Sequence, residues 1–260
     1  MRRVLRHLGL AQYGGDELVL AILACGSAAY ALSLACGWLA LLPSVPFGIV
    51  LWFFRDPERQ GTGTPDIFFS PADGTVTDIV EVDEPEFIRG RALRIGIFLS
   101  PFNVHVNRVP CDGTVHFIKY KAGEFLPAYN SQAPERNESV SLGLETPAGT
   151  RLLVKQITGV LARRIICETH HGEILARGQR YGMIKFGSRT ELYIPVSTPV
   201  SQIVRVGDKV KGGQTPFIRI SEAKMPSVGG VSTNVASAAL PVNVYPSFSV
   251  QDNCPGPASI

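Results

Sequence analysis

The longest feature in the hydrophobic pattern is a block without charge. Between residues 18 and 54 there is no Asp, Glu, Lys or Arg, and the run exceeds the ~20 apolar residues that one membrane-spanning helix needs. Gly37 and the pair Pro43 and Pro46 interrupt it, which predicts two helices, over about 18–36 and 38–54, crossing a bilayer as a hairpin. Arg2, Arg3 and Arg6 precede the block and Arg55 and Arg59 follow it. The positive-inside rule then places both ends, and the rest of the chain, on the cytoplasmic side of the cell membrane. A cleaved signal peptide fits less well, because Asp16 and Glu17 stand where such a peptide is basic. A lipid anchor at Cys25 leaves too short an apolar stretch.

After the block the period changes. Residues 55–65 (RDPERQGTGTP) are polar and rich in Gly, Thr and Pro, as in a linker. From 66 to 220, short β-type runs recur between turn residues, at 74–82, 92–99, 114–121, 139–145, 151–157, 183–186, 190–195, 201–206 and 215–220. This spacing predicts a mainly β domain, an antiparallel sandwich or barrel. A helix is expected only at 159–168, where Val160, Leu161, Ile165 and Ile166 fall at helical spacing around Arg163 and Arg164. Residues 71–76 (PADGTV) and 206–214 (VGDKVKGGQ) both read as turns of lipoyl- or biotinyl-type hairpins. Residues 221–260 have almost no charge and no periodicity and read as a disordered tail. The expected organisation is a basic segment 1–17, a membrane hairpin 18–54, a linker 55–65, a β-rich catalytic domain 66–220 and the tail.

Composition narrows the function. The 260 residues are 45% hydrophobic and only 18% charged, with a net charge of +3. That suits one domain plus a lipid-facing part and gives no basic face for nucleic acid. Five cysteines without CxxC spacing indicate thiols in a reducing compartment rather than a disulfide framework or zinc knuckle.

Among the histidines, His7 and His116 read as structural or solvent-facing. His170 and His171 are adjacent, so on a strand they face opposite ways, and no HxxxH or HExxH exists to hold a metal. His105 differs, lying in a polar stretch (LSPFNVHVNRVP) within apolar surroundings. At 185–190 (KFGSRT) a strand pattern is broken by Gly187 and Ser188. Taken alone the break is a bulge or bend. A serine attacking the carbonyl before it, however, needs a small preceding residue, a base and a carboxylate to orient that base. Ser188, His105 and Asp73 supply those three types.

Four motifs in order carry a resemblance: 53–59 (FFRDPER), 70–74 (SPADG), 98–105 (FLSPFNVH) and 186–188 (FGS). On these the chain resembles the phosphatidylserine decarboxylases, in their shorter, two-helix form. The resemblance implies self-cleavage between Gly187 and Ser188. Ser188 would become a pyruvoyl group, the covalent cofactor, with no metal. It further implies that this group forms a Schiff base with the headgroup amine of phosphatidylserine in the membrane and accepts the electron pair left by carbon dioxide, giving phosphatidylethanolamine. The two chains made by the cut would remain together as a heterodimer. Longer members carry two histidines three residues apart. Here only His105 is present, the second position is Arg108, and Arg189 follows the Gly-Ser pair where Thr would be expected.

No substrate-binding residue is assigned, although Arg55, Arg59, Arg163 and Arg164 are candidates for the anionic headgroup. Two rival readings stand beside this one. A membrane-tethered lipoyl-like adaptor or carrier lacks a hairpin-tip lysine, since Lys209 and Lys211 sit at a strand entry. A zinc peptidase of similar barrel lacks the His-x-His pair, because Val106 and Asn107 follow His105.

Overall fold

The structure, a computed structural model, describes residues 1–59, 61–127, 132–159, 164–185 and 188–220, apart from the side chain of Arg3. A short helix α1 (Arg2–His7) leads through a 3-10 turn (Gln12–Gly14) into α2 (Gly15–Ala35). At 1.5 Å per residue α2 is about 31 Å long, matching the ~30 Å hydrocarbon thickness of a bilayer. Along it Leu20, Ile22, Leu23, Tyr30 and Leu34 are exposed. The N-terminal helix is thus compatible with membrane association.

The second expected helix is shorter than the apolar pattern implies. Gly37–Leu41 forms a 3-10 turn and only Ser44–Phe53 is α-helical (α3), about 15 Å. Pro43 is the N-cap of α3 and Pro46 lies in its first turn. Proline is tolerated there because those N–H groups need no helical partner, so the pair starts a helix instead of sitting inside a longer one. The turn and α3 fold back onto α2. Among the described residues, α2 with the turn before it is the one helix long and apolar enough to cross a membrane.

The remainder is mainly β, with curled antiparallel sheets. Its elements are β1 (Ile67–Phe69), β2 (Gly74–Glu84), β3 (Gly90–Leu99), β4 (Val106–Arg108), β5 (Gly113–Lys121), α4 (Ala133–Arg136), β6 (Ser139–Glu145), β7 (Arg151–Ile157), β8 (Arg164–Cys167), β9 (Ile174–Leu175), β10 (Arg180–Lys185), β11 (Ser188–Pro195), β12 (Val200–Gln202), β13 (Lys209–Val210) and β14 (Pro216–Ile220). Among the described residues they form an eight-stranded sheet, β13-β2-β3-β11-β7-β6-β5-β9, and two three-stranded sheets, β4-β10-β8 and β1-β14-β12. Period-2 alternation turns Ile95, Ile97 and Leu99, Leu142 and Leu144, Leu152 and Val154, and Leu192 and Ile194 into one core with Phe68, Phe217 and Ile218. Each such side chain contributes roughly 1.5–3 kcal/mol on burial.

Two sequence expectations change here. Residues 164–167 are a strand, not a helix: Ile165 and Ile166 pair with Ile184 and Met183 of β10, and β-branched residues suit that pleated edge. Residues 160–163, including Arg163, lie outside the described residues, as does the tail from residue 221. The two hairpin-like segments meet each other, with Lys209 opposite Thr75 and Val210 opposite Gly74. Lys209 therefore sits in a zipped strand pair rather than at a free tip, and Lys211 lies just past that strand.

Finally, residues 55–59 have no regular structure but are tied down. The Asp56 carboxylate is buried between Arg108 (2.7 Å to Nη2) and Arg180, and Arg108 also donates to the carbonyls of Pro57 (3.0 Å) and Gly178 (3.1 Å). A second apolar cluster, containing Leu5, Tyr13, Leu18, Phe53, Phe54, Val104, Val106 and Met183, joins the helices to β4 and β10.

Candidate active site

The candidate residues gather at the C-terminal end of β3. On one side Thr75 of β2 pairs with Phe98, and on the other Ser188, the first residue of β11, pairs with Leu99. Asp73 and Ser188 thus enter the sheet from strands flanking the same strand end, with backbones roughly 10 Å apart at ~4.8 Å per strand spacing. Gly74 makes this approach possible: its φ is +155°, and a Cβ there would lie 2.2 Å from the Phe98 carbonyl oxygen.

From Leu99 the chain turns towards His105. Asn103 Oδ1 accepts from the Ser100 N–H (2.9 Å) and hydroxyl (2.8 Å), and the Asn103 N–H donates to the Ser100 carbonyl (2.9 Å). This local side-chain turn explains why polar residues crowd the stretch. Val104 and Val106 anchor it in the junction cluster. His105 between them is fully buried, its ring 4.6 Å from that of Phe53 at a 35° tilt.

His105 Nδ1 lies 2.9 Å from the Asn103 carbonyl oxygen. A carbonyl only accepts, so Nδ1 carries the proton and Nε2 is the basic nitrogen. Burial, opposed by the Asn103 carbonyl, aided by the Arg55 charge and opposed again by the Asp73 charge, brings the pKa down from 6.5 to about 4. The imidazole is therefore neutral near pH 7 and able to take a proton.

Ser188 is also fully buried, and its Oγ has no hydrogen-bond partner among the described residues. A buried hydroxyl left unpaired has a cost, and such groups concentrate where chemistry requires them. The described residues on either side of positions 186 and 187 are held in place. The Ile184 N–H donates to the His105 carbonyl (3.2 Å), Lys185 forms an ion pair with Glu17 of α2, and Ser188 is fixed on Leu99. Phe186 and Gly187, and with them the other half of the predicted scissile bond, lie outside the described residues.

Asp73 is buried beside this point, but its hydrogen bonds go elsewhere. Both carboxylate oxygens bind the Arg59 guanidinium, Nη2 at 2.8 Å, and Oδ1 accepts the Gly212 N–H at 2.8 Å. Asp73 thus acts on His105 through its charge, and the ring is oriented by the Asn103 carbonyl. Arg59 is correspondingly no headgroup ligand at the surface; its side chain is 6% exposed and committed to Asp73.

Three further polar residues near Ser188 escaped the sequence reading. Thr190, two residues on and therefore on the same face, accepts from Asn107 Nδ2 (3.1 Å), whose Oδ1 accepts from Gln156 Nε2 (2.8 Å). Gln156 pairs with Thr190 across the sheet, a proximity with no local signal. On the opposite face, Arg189 donates to Glu191 (2.8 Å), Thr77 (2.8 Å) and Asp78 (2.5 Å). It fills the space that a Cβ on Gly96 would occupy, 2.1 Å from Nη2. Elsewhere, His170 pairs with Glu173 (3.2 Å) and His116 stands edge-on to His171 (5.9 Å). No group of three metal-ligating side chains occurs among the described residues.

The family model described as phosphatidylserine decarboxylase matches residues 47–218. The phosphatidylserine decarboxylase proenzyme of Rhodopirellula baltica is 44% identical over 197 residues, 74% of this chain and 81% of that protein. Those of Carboxydothermus hydrogenoformans and Symbiobacterium thermophilum are each 47% identical, over 70% and 66% of this chain and 85% and 80% of their own lengths.

Proposed function

The chain belongs to the phosphatidylserine decarboxylase family and is a decarboxylase; on that premise we propose that it is made as a proenzyme and cuts itself between Gly187 and Ser188. One observation carries this reading: the Oγ of Ser188 is buried, without a partner among the described residues, at the strand end from which the His105 segment departs. A hydroxyl so placed fits a group awaiting conversion.

In the proposed sequence His105 Nε2 takes the Ser188 hydroxyl proton as Oγ attacks the Gly187 carbonyl carbon. The amide C–N bond breaks as the new C–O ester bond forms, and the proton passes to the departing nitrogen. Loss of the Ser188 α-proton then expels Gly187 as a carboxylate, and hydrolysis releases ammonia and leaves an α-keto group at position 188. Asp73, held by Arg59 and Gly212, supplies negative charge that offsets part of the burial of His105.

The same site would then take the serine headgroup of phosphatidylserine and return phosphatidylethanolamine and carbon dioxide. The α-keto group supplies an electron sink for the pair left as carbon dioxide departs. The products of the cut have reason to stay together. β11, which opens the smaller chain, hydrogen-bonds to β3 on one side and β7 on the other, both from the larger chain. The exposed apolar helices support placement at the cell membrane, and the flanking arginines favour the cytoplasmic side.

The test is the intact mass of the protein under denaturing conditions. Two chains are expected, the larger ending at Gly187 and the smaller starting with a residue one ammonia lighter than serine. Ser188→Ala should leave a single chain. An uncut wild-type chain from active expression would overturn the reading.

A further inference from the structure

The segment between β3 and β4 carries an apolar side chain at its tip that the fold leaves open. Phe102 is 75% exposed, although it lies three residues from Leu99, the partner of Ser188, and three from His105. Beside it Trp52, in the last turn of α3, is 57% exposed. Arg55 binds the two together. Its guanidinium lies 4.2 Å over the Trp52 ring, Nη1 donates to the Trp52 carbonyl (2.8 Å) and Nη2 to the Phe102 carbonyl (2.5 Å). An aromatic from the helical part, an aromatic from the segment bearing the proposed base, and one cation thus form a single patch.

The patch continues the exposed apolar surface of the helices. Val45, Ile49 and Trp52 are all exposed, and their spacing puts them on one stripe of α3 that ends at Arg55 and Phe102. Aromatic rings with a basic residue at the end of an apolar helix are the composition of a headgroup layer, where rings settle and arginine meets phosphate. We propose that Trp52, Arg55 and Phe102 form a docking foot that seats the His105 segment on the headgroup layer of an anionic bilayer, the one α2 enters. The lipid then meets the site where its headgroup already lies. The identity of that lipid as substrate rests on the function proposed above; the docking does not.

Two measurements on the full chain reconstituted in vesicles of phosphatidylcholine and phosphatidylserine test this. The first places a single tryptophan at the tip, using Phe102→Trp with Trp38→Phe and Trp52→Phe. Lipids brominated near the headgroup should quench it several-fold more than lipids brominated near the chain ends. Absence of quenching by either, or an emission shift that follows protein rather than lipid concentration and so indicates a second copy, overturns the proposal. The second uses Phe102→Ser. Cleavage at position 188 should be unchanged by intact mass. Turnover of phosphatidylserine in the vesicles should fall about tenfold, as expected for losing part of one ring's burial, while turnover of water-soluble glycerophosphoserine stays the same. Equal loss on both substrates, or none, overturns it. A wild type that is neither cut nor active sinks the enzymatic reading instead, and the quenching still decides the docking.

Discussion

The imidazole of His105 lies 4.6 Å from the ring of Phe53, the last residue of α3, tilted by 35° against it. The proposed base is thereby walled off from water by the end of the apolar helical part, which is why burial dominates its pKa.

That shift predicts an acid-sensitive stability. His105 has a folded pKa of about 4 against an ordinary 6.5, so the unfolded chain binds more protons between those values. Its contribution is complete above pH 6.5 and is lost as the pH falls towards 4, amounting to roughly 3 kcal/mol. In an uncut Ser188→Ala background, His105→Phe should flatten the fall in thermal stability between pH 7 and pH 4.5. Parallel pH curves for the two chains would refute the assignment.

Arg59 and Asp73 should behave as one buried unit. Arg59→Ala leaves the carboxylate, among the described residues, with only the Gly212 N–H and is expected to cost about 3–5 kcal/mol. Adding Asp73→Asn removes the stranded charge and should recover part of that loss. Denaturation of the two single variants and the double variant measures the coupling. Asp73→Asn alone should also slow cleavage at position 188, because His105 loses a charge that favours its protonation.

Arg108 stands three residues after His105 and spans to Asp56, Pro57 and Gly178. An imidazole is too short for those contacts. Arg108→His should therefore lower stability by about 3 kcal/mol while the chain, where folded, is still cut. Melting temperature and intact mass read the two effects separately.

The Arg189 network makes a further stability prediction. Glu191 is fully buried, and Arg189 is its shortest cationic contact, with Arg94 at 3.7 Å. Arg189→Thr should destabilise by about 3–5 kcal/mol, and Glu191→Gln should partly rescue it. Gly96→Ala should mimic the loss, since its Cβ would displace the guanidinium from Asp78.

Much of the architecture is legible without coordinates because it depends on near neighbours. Alternation at 139–145 and 151–157 is the period of a strand with one face in a core, and β6 and β7 have those bounds. An uncharged stretch between basic flanks reads as lipid-facing by composition alone, and the order of the motifs was enough to name the family. Local pattern misled where a distant partner decided. Residues 164–167 have helical spacing but pair with β10, and the apolar stretch 38–54 becomes a turn and a ten-residue helix because of where its prolines fall.

The wiring of the site was decided only by tertiary structure. That Asp73 answers to Arg59, that Asn103 rather than a carboxylate orients His105, that Arg108 pins Asp56 and that Phe53 covers the imidazole are contacts among buried groups. Three of these four join residues from separate elements. Sequence determines which residues are able to ionise, attack or pack. Which charge is neutralised, and which ring loses its water, is set by the neighbours that folding brings within a few ångströms, because desolvation and Coulomb energy both depend on that distance.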